Sequence, residues 1–395
     1  MKVISTEKIP IKMWLEEIED GAVEQAKNLA NLPFAFKHIA IMPDSHIGYG
    51  MPIGGVLATK DVIVPNSVGV DIGCGMCAVK TSLTELDTPT LKKIMGEIRK
   101  QIPVGFGHHK EKQDENLMPR IPLATEPIVN EEYNSALTQI GTLGGGNHFI
   151  EIQKGSDGYI WIMIHSGSRN LGLKIAKYYN DLAIKLNKKW FSEVDPKWEL
   201  AFLPIESDEG QAYIREMNYA VEFALANRKL MMDRIMKIIY DTIEVSSEDG
   251  QFGGVTFEPM INIAHNYAQM ENHFGENVMV HRKGATLARK DTIGIIPGSQ
   301  GTKSYIVKGL GNKESFESCS HGVGRKMGRK DAERRLNLED EIKMLDDQGI
   351  LHAIRGKADL DEAPGAYKDI KTVMDNQSDL VEILVELTPL GVIKG

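Results

Sequence analysis

Asp71 and Cys74 stand three residues apart in D-I-G-C, with only compact residues between them. A thiolate and a carboxylate that close can reach one metal ion, or the sulfur can bridge two ions while the carboxylate holds one. His148, His165 and His265 occur in G-N-H-F-I-E, W-I-M-I-H-S and I-N-I-A-H-N, each beside a strand-like run. Imidazole combined with thiolate and carboxylate suits zinc, cobalt, iron or manganese, and ligand type alone does not choose among them. Taken singly, each residue has a plainer reading: a hydrogen-bonded core histidine, or a cysteine packed as a small hydrophobe. Cys77 completes a C-x-x-C, but without a second pair it is expected to pack in the strand MCAVKT. His46, with Asp44 beside it in P-D-S-H-I-G-Y-G, reads as a turn that either residue caps. His38, His273 and His352 receive no role, and His108 and His109 fall in a polar loop and read as solvated.

Two further strings could handle phosphate. P-G-S-Q-G-T-K-S (297–304) lacks the spacing and following helix of a P-loop, yet Gly298, Ser299, Gly301, Thr302 and Ser304 offer amides and hydroxyls to a nucleotide. In S-C-S-H-G-V-G-R (318–325), His321 lies between small residues on a glycine turn, with Arg325, Lys326, Arg329 and Lys330 close behind. A neutral imidazole can attack phosphorus and hold it as a labile phosphoramidate; the competing reading is a surface histidine near a basic helix start. Together with H-R-K-G-A-T-L-A-R-K (281–290), this stretch is expected to form a positive footprint for a polyanion.

These residues need positioning elements. Most of the glycine-rich strings abut β-like runs: FKHIAIM, YIWIMI, NVMVHRKGA and SYIVKG. Such turns at strand ends are where a rigid scaffold carries a site. Between them, residues 211–243 place apolar side chains at helical spacing without Gly or Pro, and 13–31, 90–101, 172–190, 330–347 and 368–387 also read as helices. The polar, Pro-punctuated segment 105–132 reads as a loop or lid. No repeat or linker separates modules. The expected architecture is α+β: one domain over 1–395, mixed sheets flanked by helices around a central cleft.

Composition sets the outer limits. With 42% apolar and 26% charged residues, the 395-residue chain has ordinary globular usage, which excludes collagen-like and disordered classes. Three cysteines cannot build a disulfide framework and suit a reducing compartment. No apolar run is long enough to span a membrane and no signal-like stretch opens the sequence, so the chain reads as cytoplasmic. Fifty-five acidic against 46 basic residues argue against general coating of nucleic acid, though not against a local basic groove.

The ordered set MPDSHIGYGMPIGGV, VGVDIGCGM, GTLGGGNHFIEI, MIHSGSRNLG, INIAHNYA, HRKGATLA, IIPGSQGTKS, ESCSHGVGR and PLGVIKG resembles the RtcB family of tRNA-splicing RNA ligases, from about residue 10 to Gly395. The resemblance implies joining of an RNA 3′-phosphate or 2′,3′-cyclic phosphate to a 5′-hydroxyl, with GTP and two manganese ions. It implies that Cys74 bridges the ions, with Asp71 and His148 completing one site and His165 and His265 the other. His321 matches the histidine that becomes guanylylated. Asn147, Glu151, Ser299, Ser304, Tyr367 and Lys394 match guanylate-contacting positions, and Arg169 matches one expected to hold RNA phosphate. Ser45, Gly145 and Asn170 depart from the family pattern without touching these residues. The expected state is a monomer acting on RNA, with an archease-like activator as a candidate partner. Two rivals stand beside this reading: a metal-dependent cyclic phosphoesterase, which leaves His321 and Lys394 idle, and a non-catalytic RNA-end binder, which needs no metal cluster.

Overall fold

A computed structural model describes residues 1–120, 126–246 and 254–395. Two large sheets dominate it. The first has six strands in the order Lys2–Ile4, Ile11–Met13, Ala35–His46, Ile53–Thr59, Glu276–Lys283 and Asn266–His273. The second has seven: Ile261–Ala264, Gly75–Lys80, Ile160–Ser166, Phe149–Gly155, Val381–Lys394, Ser304–Gly309 and Ile293–Ile296. Every pair in the second sheet is antiparallel. The strand runs expected from sequence are all present, and the fold is α+β as expected.

Ile160–Ser166 is buried throughout, which is why IWIMIHS reads as an unbroken apolar run rather than an alternating one. One side of this sheet packs on the long helix Asp208–Ser246 and the helix Thr88–Gln101: Cys77, Val79, Ile152, Ile162 and Ile164 meet Ile94, Ile98, Met231 and Ile235. Met76, Ala78 and Met163, one residue out of phase, meet Ile306, Leu345, Ile354 and Leu360 on the other side. The two-residue period of the strands therefore fixes both layers.

Several helix expectations are corrected. Residues 368–387 hold only the helix Ile370–Asp375; Val381–Lys394 is a strand. Val381, Ile383, Val385 and Val392 are β-branched and pair into the sheet, which outweighs the helical spacing of the apolar residues. Residues 330–347 divide into Arg329–Arg335 and Leu338–Asp347, because the Asn337 side chain accepts from Glu339 N and Asp340 N and starts a new helix. In 13–31 the helix covers only Asp20–Ala30. Segment 105–132 is irregular apart from a 3-10 turn at Glu115–Leu117, until the helix Pro127–Gln139 begins; residues 121–125 lie outside the described residues.

Candidate functional site

Four neighbouring strands of the second sheet bring the candidate ligands to one edge. Cys74 immediately precedes Gly75–Lys80, His148 precedes Phe149–Gly155, His265 follows Ile261–Ala264, and His165 is the penultimate residue of Ile160–Ser166. The register opposes His165 to both Met76 and Phe149, and Gly75 to Ala264. Antiparallel pairing thus converts four distant sequence positions into adjacent side chains.

The Cys74 sulfur lies 3.4 Å from His148 Nε2 and 3.3 Å from His165 Nε2. His165 Nε2 is 3.4 Å from His265 Nε2, and His148 Nε2 is 3.0 Å from Asp71 Oδ2. Two ligand groups share the sulfur: Asp71, Cys74 and His148, and Cys74, His165 and His265. Ligand atoms about 2.0–2.3 Å from a four-coordinate ion stand roughly 3.3–3.7 Å apart. The donor set and spacing therefore fit metal binding.

Backbone groups aim the rings. His148 Nδ1 lies 3.0 Å from Leu143 O and His165 Nδ1 3.0 Å from Asn147 O, which turns each Nε2 toward the sulfur. Burial, and then neighbouring histidine charge, hold His165 and His265 well below the usual imidazole pKa, so both are neutral and able to ligate. Burial, reinforced by Asp71, pushes the Cys74 thiol up. Burial would also raise Asp71, but the His148 hydrogen bond and charge, helped by Cys74 and Arg169, bring it to about 2. A side chain at Gly167 would overlap the Asp71 carboxylate.

Beside this cluster opens a cleft of about 640 Å³, lined by His165, Asn147, Phe149, Glu151, Ser299, His321, Arg325, Arg329, Glu362, Tyr367 and Lys394 among others. The His321 ring centroid is 4.7 Å from that of His265. Gly284, at φ +62°, leaves room for that ring: a side chain there would come within 3.0 Å of His321 Cε1. His321 Nδ1 sits 2.6 Å from Asp44 Oδ2, which also accepts from the amides of His321 and Gly322. The earlier reading of Asp44 as a turn cap is therefore corrected. It is a fully buried carboxylate inside the strand Ala35–His46 that holds the His321 turn. His46 lines the cleft, and burial pushes its pKa down to about 4.

Glu151 is raised to about 8 by burial, against the pull of Gln153 and Lys394. Lys394 is lowered by burial, though Glu362 and Asp361 oppose this. Ser304 does not line the cleft: its hydroxyl accepts from Gly298 N and Gln153 Nε2 and so supports the loop that presents Ser299. Arg169 stands beside the metal cluster, packed over Gly144 with Nη1 3.4 Å from His148 Nδ1, and takes the left-handed φ of +60°. The uncommon backbone conformation of a non-glycine residue here fits a position fixed by its surroundings.

Two other expectations change and one holds. The footprint at 281–290 is largely internal: Arg282 is buried against Glu271, Lys283 donates to Tyr49 O and Asn66 O, and Arg289 pairs with Glu271 and Glu317. Burying a cation demands a partner: carboxylates compensate Arg282 and Arg289, whereas Lys283 meets backbone carbonyls and burial lowers its pKa to about 7. His109 is half-buried rather than solvated, near Arg234 Nη1 and Gly141 O. Cys77 packs under the long helix, as expected.

Sequence reasoning missed Asn227, Arg228 and Glu362. Arg228 donates to Gly73 O at 2.9 Å, Ser166 O at 2.8 Å and Asn262 Oδ1 at 2.7 Å. Asn227 accepts from Gly141 N and Thr142 N and donates to Gly167 O. Both polar residues are fully buried on a helix face that is otherwise apolar from Ala220 to Ile235, and that interruption is the signal that could have revealed them. Glu362 meets Arg325 Nη1 and Arg329 Nε at 3.1 Å, Lys394 Nζ at 3.8 Å and the Tyr367 hydroxyl.

A family model described as tRNA-splicing ligase RtcB matches residues 25–395. The chain belongs to the RtcB family. It is 40% identical to the RNA-splicing ligase RtcB of Escherichia coli K12, over all of this chain and 99% of that protein. It is 33% identical to the tRNA-splicing ligase RtcB of Methanococcus maripaludis, covering 98% and 95% of the two chains. With the tRNA-splicing ligase RtcB of Thermococcus kodakarensis the identity is 31%, over 95% and 92%. No helix among the described residues of this RtcB family member is long and apolar enough to cross a membrane.

Proposed function

We propose that the chain is a GTP- and manganese-dependent RNA ligase that joins 3′-phosphate or 2′,3′-cyclic phosphate ends to 5′-hydroxyl ends. Support comes from its family and from one observation: a shared-sulfur ligand cluster and a carboxylate-held histidine meet in one cleft. Asp71, Cys74 and His148 would hold one ion, and Cys74, His165 and His265 the other. Two bound divalent cations would supply Lewis-acid neutralisation of charge on the reacting phosphate. Softness of the donor set tolerates zinc as well as manganese, so manganese rests on the family.

Asp44 beside Nδ1 orients the His321 ring and leaves Nε2 as the nucleophile. Nε2 attacks the α-phosphorus of GTP; the N–P bond forms, the bond to the β-phosphate oxygen breaks, and pyrophosphate leaves with its electron pair. Asn147, Glu151, Ser299, Tyr367 and Lys394 hold the guanylate, while Ser304 acts through the Ser299 loop. An RNA 3′-phosphate oxygen then takes the guanylate, breaking the N–P bond and restoring neutral His321. Finally the 5′-hydroxyl oxygen, losing its proton, attacks the activated 3′-phosphate and GMP departs. A cyclic phosphate is first opened by water. Arg169 would steady the RNA phosphate. The chain acts in this reading as a cytoplasmic monomer, with an archease-like protein as candidate activator.

Incubation with manganese and GTP carrying a labelled α-phosphate tests the proposal. The chain should become covalently labelled and His321→Ala should not. Persistent labelling of that variant would remove His321 as the nucleophile. Cleavage of cyclic phosphate without labelling or ligation would favour a phosphoesterase, and RNA binding without turnover a non-catalytic binder.

A further inference from the structure

Phe106 is the most exposed large apolar side chain among the described residues, as open to solvent as in an extended chain. Its presentation is rigid. Gly107 N donates to Val104 O at 3.0 Å, closing a tight turn with Gly105 at φ +61°. One foot of the turn is fixed by Leu143 N to Pro103 O and Gly105 N to Gly144 O, each 2.9 Å, and Val104 forms a parallel bridge with Gly144. The other foot is fixed by His109 N to Thr138 O at 2.9 Å. The turn is thus clamped to the 141–148 loop that carries Asn147 and His148.

Two arginines stand over the loop that carries the turn. The Arg169 guanidinium packs over Gly144, and Arg329 Nη2 would lie 2.7 Å from a side-chain carbon placed on Gly146. Lys110, on the same segment, is exposed, as is Glu111 beside it. A single aromatic ring near two arginines, with only the partly exposed Val104 beside it in the turn, is a poor protein-docking patch. It is the usual combination for unpaired nucleic acid, in which the ring stacks a base and the cations follow the backbone.

We infer that Phe106 is a stacking platform for an unpaired base of the RNA, next to the end being joined, with Arg169 and Arg329 taking the flanking phosphates. This rests on the ligase reading and deepens it. The chain would favour RNA ends with an unpaired terminal nucleotide over fully paired ones.

The test uses the full chain, a 3′-phosphate RNA with 2-aminopurine near its end, and the variants Phe106→Ala and Phe106→Trp. Wild type should alter the 2-aminopurine fluorescence on binding. Phe106→Ala should abolish that change and raise KM for RNA about 5- to 100-fold, the span that stacking of one base supports. Labelling of His321 by GTP should stay at the wild-type level, and Phe106→Trp should restore RNA affinity. Unchanged KM and fluorescence in Phe106→Ala would overturn the inference. So would a parallel loss of GTP labelling, because Phe106 would then be shaping the 141–148 loop. Failure of wild type to label or ligate would instead sink the ligase reading, while the fluorescence still reads the stacking on its own.

Discussion

His165 and His281 are both buried histidines on strands, yet they belong to different kinds of region. His281 Nδ1 donates to Leu57 O at 3.1 Å, and Nε2 accepts from Val64 N at 2.9 Å, so its ring is saturated by backbone. His165 donates Nδ1 to Asn147 O in the same way, but its Nε2 faces the Cys74 sulfur and His265 Nε2. Burial lowers both pKa values. What separates a structural histidine from a candidate ligand is the partner of its second nitrogen: a backbone amide in one, a sulfur and a second imidazole nitrogen in the other. Ligand-type atoms gathered this closely in a buried place suit a cation between them.

Removing the shared sulfur should break the contrast most severely. Cys74→Ala should lose bound metal from both ligand groups and lower His321 guanylylation by more than a hundredfold, beyond the roughly 10–100-fold typical of supporting residues. Metal analysis of purified protein is the check, and equal content in variant and wild type would contradict a shared thiolate.

Arg228→Met tests how the ligand region is held. It leaves Gly73 O and Ser166 O without their buried donor and should destabilise the fold by about 2–6 kcal/mol, at about 1–3 kcal/mol for each unsatisfied acceptor. Urea unfolding measures this; an unmoved midpoint would mean that the loops at Asp71 and His165 are held by other groups.

The saturated histidine makes a pH prediction. Its folded pKa, pushed down to about 4 chiefly by burial, lies below the 6.5 of an exposed imidazole. The neutral ring therefore contributes stability that is complete above pH 6.5 and fades as pH falls through about 4, worth about 3 kcal/mol. His281→Asn should flatten that part of the stability–pH curve relative to wild type. An identical slope would show that His281 is not titrating there.

The smallest effect is expected at Glu362→Gln. This carboxylate gathers Arg325, Arg329, Lys394 and Tyr367, and although burial alone would raise its pKa, the cations hold it below the usual carboxylate range. Neutralising it should loosen Lys394 and Tyr367 and raise KM for GTP within about tenfold, with metal content unchanged; equilibrium binding of GTP reads it. A loss of metal would tie the two regions more closely than their geometry suggests.

Much of the site was legible because its chemistry is local in sequence. D-I-G-C, G-N-H and S-C-S-H-G each carry a reactive group beside glycines that permit a tight turn, and the strands behind them announce themselves by β-branched runs. Helix and strand are hard to tell apart at 381–387 because apolar residues there satisfy both periods, and only pairing with Ser304–Gly309 and Phe149–Gly155 decides. The basic run at 281–290 misled for a related reason: charge in a sequence does not reveal whether a carboxylate such as Glu271 already waits for it.

The sequence by itself determined which side chains could ligate or attack, and to which family the chain is similar, since residue type and short-range spacing carry that information. Only the tertiary structure decided that Asp44 lies against His321, that Arg228 binds the ends of two ligand loops, and that Ser304 stands behind the cleft wall. Those relations join positions from six to nearly 280 residues apart. They arise from sheet register and burial, in which every enclosed polar group must find a partner wherever the chain brings one.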